Sequence, residues 1–195
     1  MEEKSTKERI LEEALRLFAK NGYLGTSMND IARQLGVTKA ALYKHYTSKQ
    51  EILDSIVNRM DSLDYERGKK YEMPQGDSET VIRGYREADI DKIKQITKVQ
   101  FLHWTEEEFS NCFRKMLMLE QYRDETMAAL FQKYLVSGPV SYMEADARQL
   151  ALDFYGPIFL MYSLYDAADE KEEIITMLEL HVERFAKILK GGRRK

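Results

Sequence analysis

Cationic side chains between residues 31 and 50 form a segment that could bind nucleic acid. The segment contains no carboxylate between Asp30 and Glu51. Its four cations are Arg33, Lys39, Lys44 and Lys49. A surface without carboxylates can approach phosphate oxygens, and its cations release condensed counterions from a duplex. Such contacts give affinity, whereas reading a base sequence requires side chains that reach base edges in a groove.

The charge of the chain is divided between its two parts. The first 50 residues carry a net charge of +3, and the remaining 145 carry −6, which gives the total of −3. The N-terminal part is therefore the part suited to nucleic acid.

A helix, a tight turn and a second helix would position these side chains. Gly36 ends the first apolar run and can adopt a positive φ without a Cβ penalty. Ser27 is a predicted N-cap, with Asp30 in the first turn. The buried face of this helix is predicted from the three-and-four spacing of Met28, Ile31, Ala32 and Leu35.

The second helix is predicted to begin after Thr38, which can cap it. Its inward face contains Ala41 and Leu42. The small side chain of Ala32 lets two helices cross closely. The outward positions are Lys39, Ala40, Tyr43, Lys44 and, at the helix end, His45 and Tyr46. The N-terminal half of such a helix can reach base edges in a major groove.

The segment from Ile10 to Leu53 resembles the N-terminal domain of TetR/AcrR-type transcriptional regulators. It reads ILEEALRLFAKNGYLGTSMNDIARQLGVTKAALYKHYTSKQEIL. The resemblance implies an all-α protein with a three-helix helix-turn-helix domain over residues 1–47. A C-terminal helical domain for ligand binding and dimerisation then covers residues 48–195, with helix 4 as the link.

The same resemblance implies individual roles. Contacts with the DNA backbone are expected from Thr26, Thr38, Tyr43 and Lys49, and positions near bases from Lys39, Ala40 and Lys44. The set of candidate DNA-binding residues also includes Ser27 and His45. Tyr46, and in part His45, are expected to pack helix 3 onto helices 1 and 4.

Composition agrees with a helical, intracellular protein. Hydrophobic residues make up 44% of the 195 residues, enough for a sizeable core, and only 3 prolines and 10 glycines interrupt the chain. The single Cys112 excludes an intramolecular disulfide, and no charged-then-apolar leader opens the sequence. We therefore expect a cytoplasmic protein.

Helix boundaries follow from caps and breaks. Helix 4 is predicted from Ser48 to about Gly68, with Ser48 and Glu51 as a capping box. Breaks are predicted at residues 73–77 and 137–139, where Pro and Gly occur. Further helices are predicted to begin near Asp89, Thr105 (with Glu108 as box partner), Asp124 and Asp146.

The last two helices are predicted to form a dimer interface. The stretch from Leu150 to Tyr165 is apolar on nearly all sides, so it must be buried on both faces. Its uninterrupted apolar run is short of a membrane span and is bracketed by Asp153 and Asp166, so no membrane insertion is expected. A homodimer would bury it. The candidate interface residues are Phe154, Ile158, Met161, Tyr165, Leu178, His181, Val182 and Phe185.

An unidentified small-molecule effector is the other expected partner, beside double-stranded operator DNA. In the family that the chain resembles, ligand binding in the C-terminal domain moves helix 4 and changes the spacing of the two DNA-binding domains. Aromatic and thioether side chains suit an apolar or flat ligand, although for any one of them a place in the plain core is the favoured interpretation. The candidate lining residues are Tyr65, Phe101, Trp104, Phe113, Met116, Tyr122, Tyr155, Phe159 and Tyr162.

Catalytic and metal sites find no support in the sequence. His103, His181 and Cys112 are too scattered for metal ligation, and no nucleophile or phosphate-cradling motif is recognisable. We expect no cofactor and no enzymatic activity. Two functions stay open. The first is a ligand-gated DNA-binding repressor, and the second is a DNA-binding dimer gated by a protein partner or acting architecturally.

Overall fold

The structure is a computed structural model that describes residues 5–73, 89–136 and 145–191. Within these ranges the chain is helical and forms no β-strand, so the predicted all-α fold is confirmed. A π-helical turn, Gln132–Val136, follows α7. The helices are α1 (Thr6–Asn21), α2 (Met28–Leu35), α3 (Lys39–Tyr43), α4 (Lys49–Lys70), α5 (Ile90–Thr105), α6 (Glu108–Glu120), α7 (Glu125–Phe131), α8 (Ala145–Ala167) and α9 (Lys171–Gly191).

The chain divides into two compact units. Unit 1 comprises Met1–Glu66 and Glu108–Leu135, and unit 2 comprises Arg67–Glu107 and Val136–Lys195. The predicted domain boundary at residue 47 falls inside unit 1, which also holds most of α4 and all of α6 and α7. Residues far apart in sequence therefore share one core.

The core of unit 1 forms around α1, which packs against α2 and α6. Burying each large apolar side chain contributes about 1.5–3 kcal/mol relative to leaving it in water. Arg16 pairs with Glu108 at 2.6 Å at the edge of the α1–α6 contact. The buried face of α1 consists of Ile10, Leu11, Ala14, Leu15 and Phe18.

Unit 2 contains α5, α8 and α9, which pack on one another. Lys98 pairs with Glu179 at 2.6 Å between α5 and α9, and Lys94 pairs with Glu183 one turn further along. No helix within the described ranges is long and apolar enough to cross a membrane.

Four predicted caps are confirmed. Ser27, Thr38, Asp89 and Asp124 each accept a hydrogen bond from the backbone N–H three residues later, at 2.7–3.2 Å. These bonds satisfy donors that have no partner inside their own helix. Local sequence signals therefore place the starts of α2, α3, α5 and α7 correctly.

Two boundary predictions need correction. Thr105 does not start a helix but ends α5, since its hydroxyl donates to the Phe101 carbonyl at 2.9 Å, and α6 begins at Glu108. Ser48 accepts from the Glu51 N–H as predicted, but the Glu51 carboxylate accepts from the N–H and hydroxyl of Thr47 instead. The predicted breaks fall on residues outside the described ranges, apart from Met73.

His103 in α5 gives the stability of unit 2 a defined pH dependence. The side chain is 1% exposed, and its Nδ1 donates to Glu107 at 2.8 Å. Burial, helped by the charge of Arg67, lowers the pKa of His103 to about 3. The unfolded chain takes up a proton near its ordinary pKa of about 6.5, whereas the folded chain stays neutral.

The free energy of unfolding should therefore fall as the pH decreases from about 6.5 toward 3, by at most about 1.4 kcal/mol per pH unit from this group. His103→Gln should flatten that dependence in urea titrations at a series of pH values. An equal slope in the wild-type and variant proteins would contradict a neutral, buried His103.

Candidate nucleic-acid interface

Helices α2 and α3 form the predicted helix-turn-helix. Gly36 caps α2 with φ 68° and ψ 26°, a left-handed conformation that glycine adopts without a Cβ penalty. The N–H of Val37 returns to the Ala32 carbonyl at 3.0 Å and closes the turn. Ala32 is 3% exposed, in agreement with the close crossing predicted there.

Helix α3 is a single short helix with distinct inner and outer faces. Leu42 is fully buried on the inner face. Tyr46, just beyond α3, is 1% exposed and its hydroxyl donates to the Lys7 carbonyl, so its predicted packing role is confirmed. The outer positions are all exposed, namely Lys39, Ala40, Tyr43, Lys44 and His45.

The outer face combines positive charge with an aromatic ring. Lys39 Nζ lies 5.7 Å from the centroid of the Tyr43 ring, which is a cation–π contact. His45 was expected to pack in part, but the structure leaves it exposed. The result is a cationic surface without carboxylates, one helical turn wide.

Thr26 does not have the geometry expected of a phosphate contact. Its side chain is 2% exposed, and its hydroxyl donates to the Gly22 carbonyl at 2.8 Å. The predicted contact between this hydroxyl and the DNA backbone does not fit that placement. Thr26 instead closes the loop of residues 22–26 that connects α1 to α2.

The two capping hydroxyls differ in what they still offer a phosphate. The Ser27 hydroxyl accepts from the Asp30 N–H and donates to the Asp30 carboxylate, so both functions are occupied. These bonds hold the pKa of Asp30 below its ordinary value. The Thr38 oxygen accepts from the Ala41 N–H, and the Thr38 hydroxyl can still donate a hydrogen bond to a phosphate oxygen.

Lys49 lies at the start of α4 and is directed toward the same loop. Its ammonium donates to the carbonyls of Tyr23 and Thr26 at 2.6 and 2.8 Å, and lies 4.2 Å from the centroid of the Tyr23 ring. Burial lowers the pKa of Lys49. Two of its three N–H donors are thus used within the protein.

One residue at this site was missed from the sequence. Glu120 at the end of α6 is fully buried, and its Oε1 accepts from the Leu24 N–H at 3.3 Å. The two residues are 96 positions apart, so no local spacing indicates the contact. The only local trace is Gly22, where a Cβ would lie 2.2 Å from Glu120 Oε1.

Comparison with known proteins agrees with this geometry. The family described as "Bacterial regulatory proteins, tetR family" matches residues 10–56, which contain α1, α2, α3 and the start of α4. Residues 10–56 therefore form a domain of the tetR-family type. The biofilm operon icaADBC HTH-type negative transcriptional regulator IcaR of Staphylococcus epidermidis is 44% identical over 46 residues. That alignment covers 24% of this chain and about a quarter, 25%, of IcaR.

Solved structures extend the likeness over nearly the whole chain. The TetR family transcriptional regulator PfmR of Thermus thermophilus superposes with a TM-score of 0.57 at 22% identity, over 90% of this chain and 97% of PfmR. A Saccharomonospora viridis protein solved in complex with choline gives 0.59 at 19% identity, over 93% and 95%. At these identities the likeness establishes the TetR-type fold.

The effector-lining residues expected of a TetR protein are divided between the two units. In unit 1, Tyr65 and Tyr122 are 64% and 89% exposed, so neither side chain lines an enclosed space. Phe113 and Met116 are fully buried in the core of unit 1. The remaining five belong to unit 2, namely Phe101, Trp104, Tyr155, Phe159 and Tyr162.

Within unit 2 several of these rings contact one another. Phe101 stacks on Tyr162 with centroids 5.2 Å apart and meets Tyr165 edge-on at 5.4 Å. Phe159 contacts Tyr162 at 6.3 Å. Tyr155 and Phe159 are half-buried. Unit 2 therefore contains an aromatic cluster between α5 and α8.

The predicted dimer residues mostly fill the core of unit 2. Six are at most 8% exposed: Phe154, Ile158, Met161, Tyr165, Leu178 and Val182. His181 donates through Nε2 to the Phe154 carbonyl at 2.7 Å, and Phe185 contacts the Phe154 ring at 4.8 Å. The six buried side chains lie in the core of unit 2, so they do not offer a surface to a partner, whereas His181 and Phe185 are half-buried.

The hydrogen bond of the Thr26 hydroxyl implies that substitutions at Thr26 change the stability of the protein rather than a direct contact with DNA. Thr26→Val keeps the shape but leaves the Gly22 carbonyl without its donor, which should lower the free energy of unfolding by about 1–2 kcal/mol. Thr26→Ser retains the hydroxyl and should recover most of this loss in urea denaturation. If Thr26→Val leaves the free energy of unfolding unchanged, the hydroxyl has no structural role, and a phosphate contact by Thr26 becomes the better interpretation.

Proposed function

We propose that this chain is a dimeric DNA-binding transcriptional repressor that leaves a palindromic operator when a small apolar or aromatic ligand binds unit 2. The observation that carries the proposal is the outer face of α3, where Lys39, Ala40, Tyr43 and Lys44 are exposed and no carboxylate intervenes. The helix-turn-helix presents this face on a short helix with a free side. A major groove accepts such a helix.

The DNA contacts divide by chemistry. Lys39 and Lys44 are the groups for base edges, and Ala40 lets the helix approach them closely. Tyr43 and the Thr38 hydroxyl are placed for phosphate oxygens. Lys49 has one N–H left for a phosphate, so it supports the interface mainly by holding the 22–26 loop.

The dimer surface that we propose is the exposed side of α8 and α9. Along α8, Leu152, Gly156, Leu160 and Leu164 are exposed at a spacing of four residues. The leucines are 54%, 61% and 41% exposed, and a Cβ at Gly156 would meet no atom within 4 Å. Met177 and Leu180 are also exposed on α9, at 39% and 45%.

Such an apolar stripe on two neighbouring helices supports a four-helix interface between two copies. The glycine allows the helices to approach closely. A two-fold dimer places two α3 helices about 34 Å apart, one turn of the duplex. This explains why dimerisation is required for operator binding in the proposed function.

The aromatic cluster of unit 2 supports the proposal that ligand binding releases the protein from DNA. Stacked and edge-on rings around Phe101 form a surface for a flat apolar ligand or an organic cation. The Saccharomonospora viridis protein of the same fold was solved with choline, an organic cation. A dimer in which the spacing of the two DNA-binding domains does not fit the operator cannot bind it. A ligand that binds this form more tightly would depopulate the DNA-binding state.

The DNA-binding function can be tested by selecting duplexes from a random pool with the wild-type protein. Lys39→Gln and Lys44→Gln should each weaken binding of the selected duplex by about tenfold or more and change the selected sequence. Lys20→Gln, an equivalent change in α1, is the control and should leave both unchanged. Equal losses on the selected and random duplexes for Lys39→Gln and Lys44→Gln would refute the assigned roles.

The same selection repeated with a panel of organic cations and flat aromatic compounds tests the gating. An effector should raise the thermal midpoint of the protein and lower its affinity for the selected duplex. If the protein selects a duplex but no compound does both, the effector-free alternative replaces the ligand-gated one.

The dimer face makes a separate prediction. Leu160→Glu places a charge at the centre of the exposed α8 stripe, so it should yield monomers in sedimentation and abolish operator binding. Leu119→Glu introduces the same charge at a 45% exposed leucine of α6 and should remain dimeric. A dimer that survives both Leu160→Glu and Leu164→Glu would place the interface elsewhere.

A further inference from the structure

The loop of residues 22–26 is held from two directions by oppositely charged side chains. On one side, Glu120 from α6 accepts the Leu24 N–H. On the other side, Lys49 from α4 donates to the carbonyls of Tyr23 and Thr26. All of these residues belong to unit 1. The loop is therefore placed by contacts with two helices other than the pair that it connects.

Glu120 is unusual because it is a carboxylate with no exposed surface. Its Oε2 accepts no hydrogen bond from the part of the chain that the structure describes. A buried carboxylate is costly unless positive charge compensates it. The charge of Glu120 acts on Lys49, where it opposes the effect of burial on the lysine. Arg123 is a second cation beside the loop, with Nη1 4.0 Å from the Cβ position of Gly22.

Gly22 makes the contact sterically possible. It has φ +82°, a conformation that side chains rarely adopt, and a Cβ there would lie 2.2 Å from Glu120 Oε1. Any other residue must therefore displace either the loop or the carboxylate. The Glu120 carboxylate therefore packs directly against the backbone of Gly22.

The loop leads directly into the DNA-reading helices. It ends at Thr26, and the next residue, Ser27, caps α2. Helix α2 carries α3 through the Gly36 turn, so the position of the loop determines the position of the outer face of α3. Glu120 is the last residue of α6, which packs along α1. A shift of α6 along α1 would therefore reach the 22–26 loop through the hydrogen bond from Leu24 to Glu120 and through the charge of Glu120 acting on Lys49.

We propose that Glu120 is a positioning residue for DNA recognition, which sets α2 and α3 through the 22–26 loop without touching DNA. The inference rests on the proposed DNA-binding function. It assigns to α6 a connection to the recognition helices that is separate from α4. Its electrostatic partner is Lys49.

The test compares Glu120→Gln and Glu120→Ala with wild type. The probes are the duplex selected by the wild-type protein and a random duplex of equal length. Glu120→Ala should bind the selected duplex about tenfold more weakly, since a charged hydrogen bond is lost, and the random duplex nearly as well as wild type. Glu120→Gln keeps an acceptor for Leu24 and should recover part of the affinity.

Glu125→Gln is the matched control, because it removes the same charge from an exposed position in the first turn of α7. It should change neither affinity. A second readout is the pKa of Lys49, followed by NMR of its side-chain methylene groups. Loss of the Glu120 charge should lower that pKa further, an effect that a purely space-filling residue would not have.

A double-mutant cycle tests the steric contact. Gly22→Ala should weaken selected-duplex binding, and the loss should be smaller in the Glu120→Ala background, where the carboxylate is absent. If Glu120→Ala does not fold, Glu120→Gln and the Lys49 pKa decide the question. If the wild-type protein selects a duplex and the Glu120 variants bind it with the same affinity, only the positioning role is overturned. A wild-type protein that selects no duplex would overturn the proposed function, and this role with it.

Discussion

Burial of the apolar face of α1 is the constraint on which unit 1 depends. The face is too wide for the two short helices that follow it, since α2 and α3 contain only eight and five residues. Helix α6 packs along α1 and contributes Phe113, Met116 and Leu117, all fully buried. Helices α2 and α3 therefore rest on a core that residues 108–135 help to build. This arrangement brings Glu120 to the loop before α2.

Features of unit 1 that depend on near neighbours were predictable from the sequence. The caps of α2 and α3 require only a hydroxyl three residues before an N–H, and the left-handed turn requires only Gly36. The outer face of α3 follows from the same periodicity. By contrast, the hydrogen bonds of Thr26 and Lys49 depend on carbonyls that a loop brings close, and that of Glu120 depends on a partner 96 residues away. Local spacing holds no information about such contacts.

Helix α8 illustrates a different limit. Its sequence is apolar on nearly every side, so a helical projection does not distinguish the face that meets α5 and α9 from the face that remains exposed. The interface residues chosen from the sequence, such as Phe154 and Met161, belong to the inner face. The stripe from Leu152 to Leu164 is the outer face. Aromatic side chains proved equally ambiguous, because Phe113 and Tyr122 both carry a six-membered aromatic ring but have opposite exposures.

The discontinuity of unit 1 has a consequence for biosynthesis. The ribosome completes α1 to α4 well before it reaches Glu108, where the second segment of the unit begins. At about 5–20 residues per second, the 41 residues between Glu66 and Glu108 take roughly 2–8 s to add. During this interval α6 cannot cover α1, and Glu120 cannot reach the 22–26 loop. The core of unit 1 therefore cannot close until residues 108–135 have been synthesised.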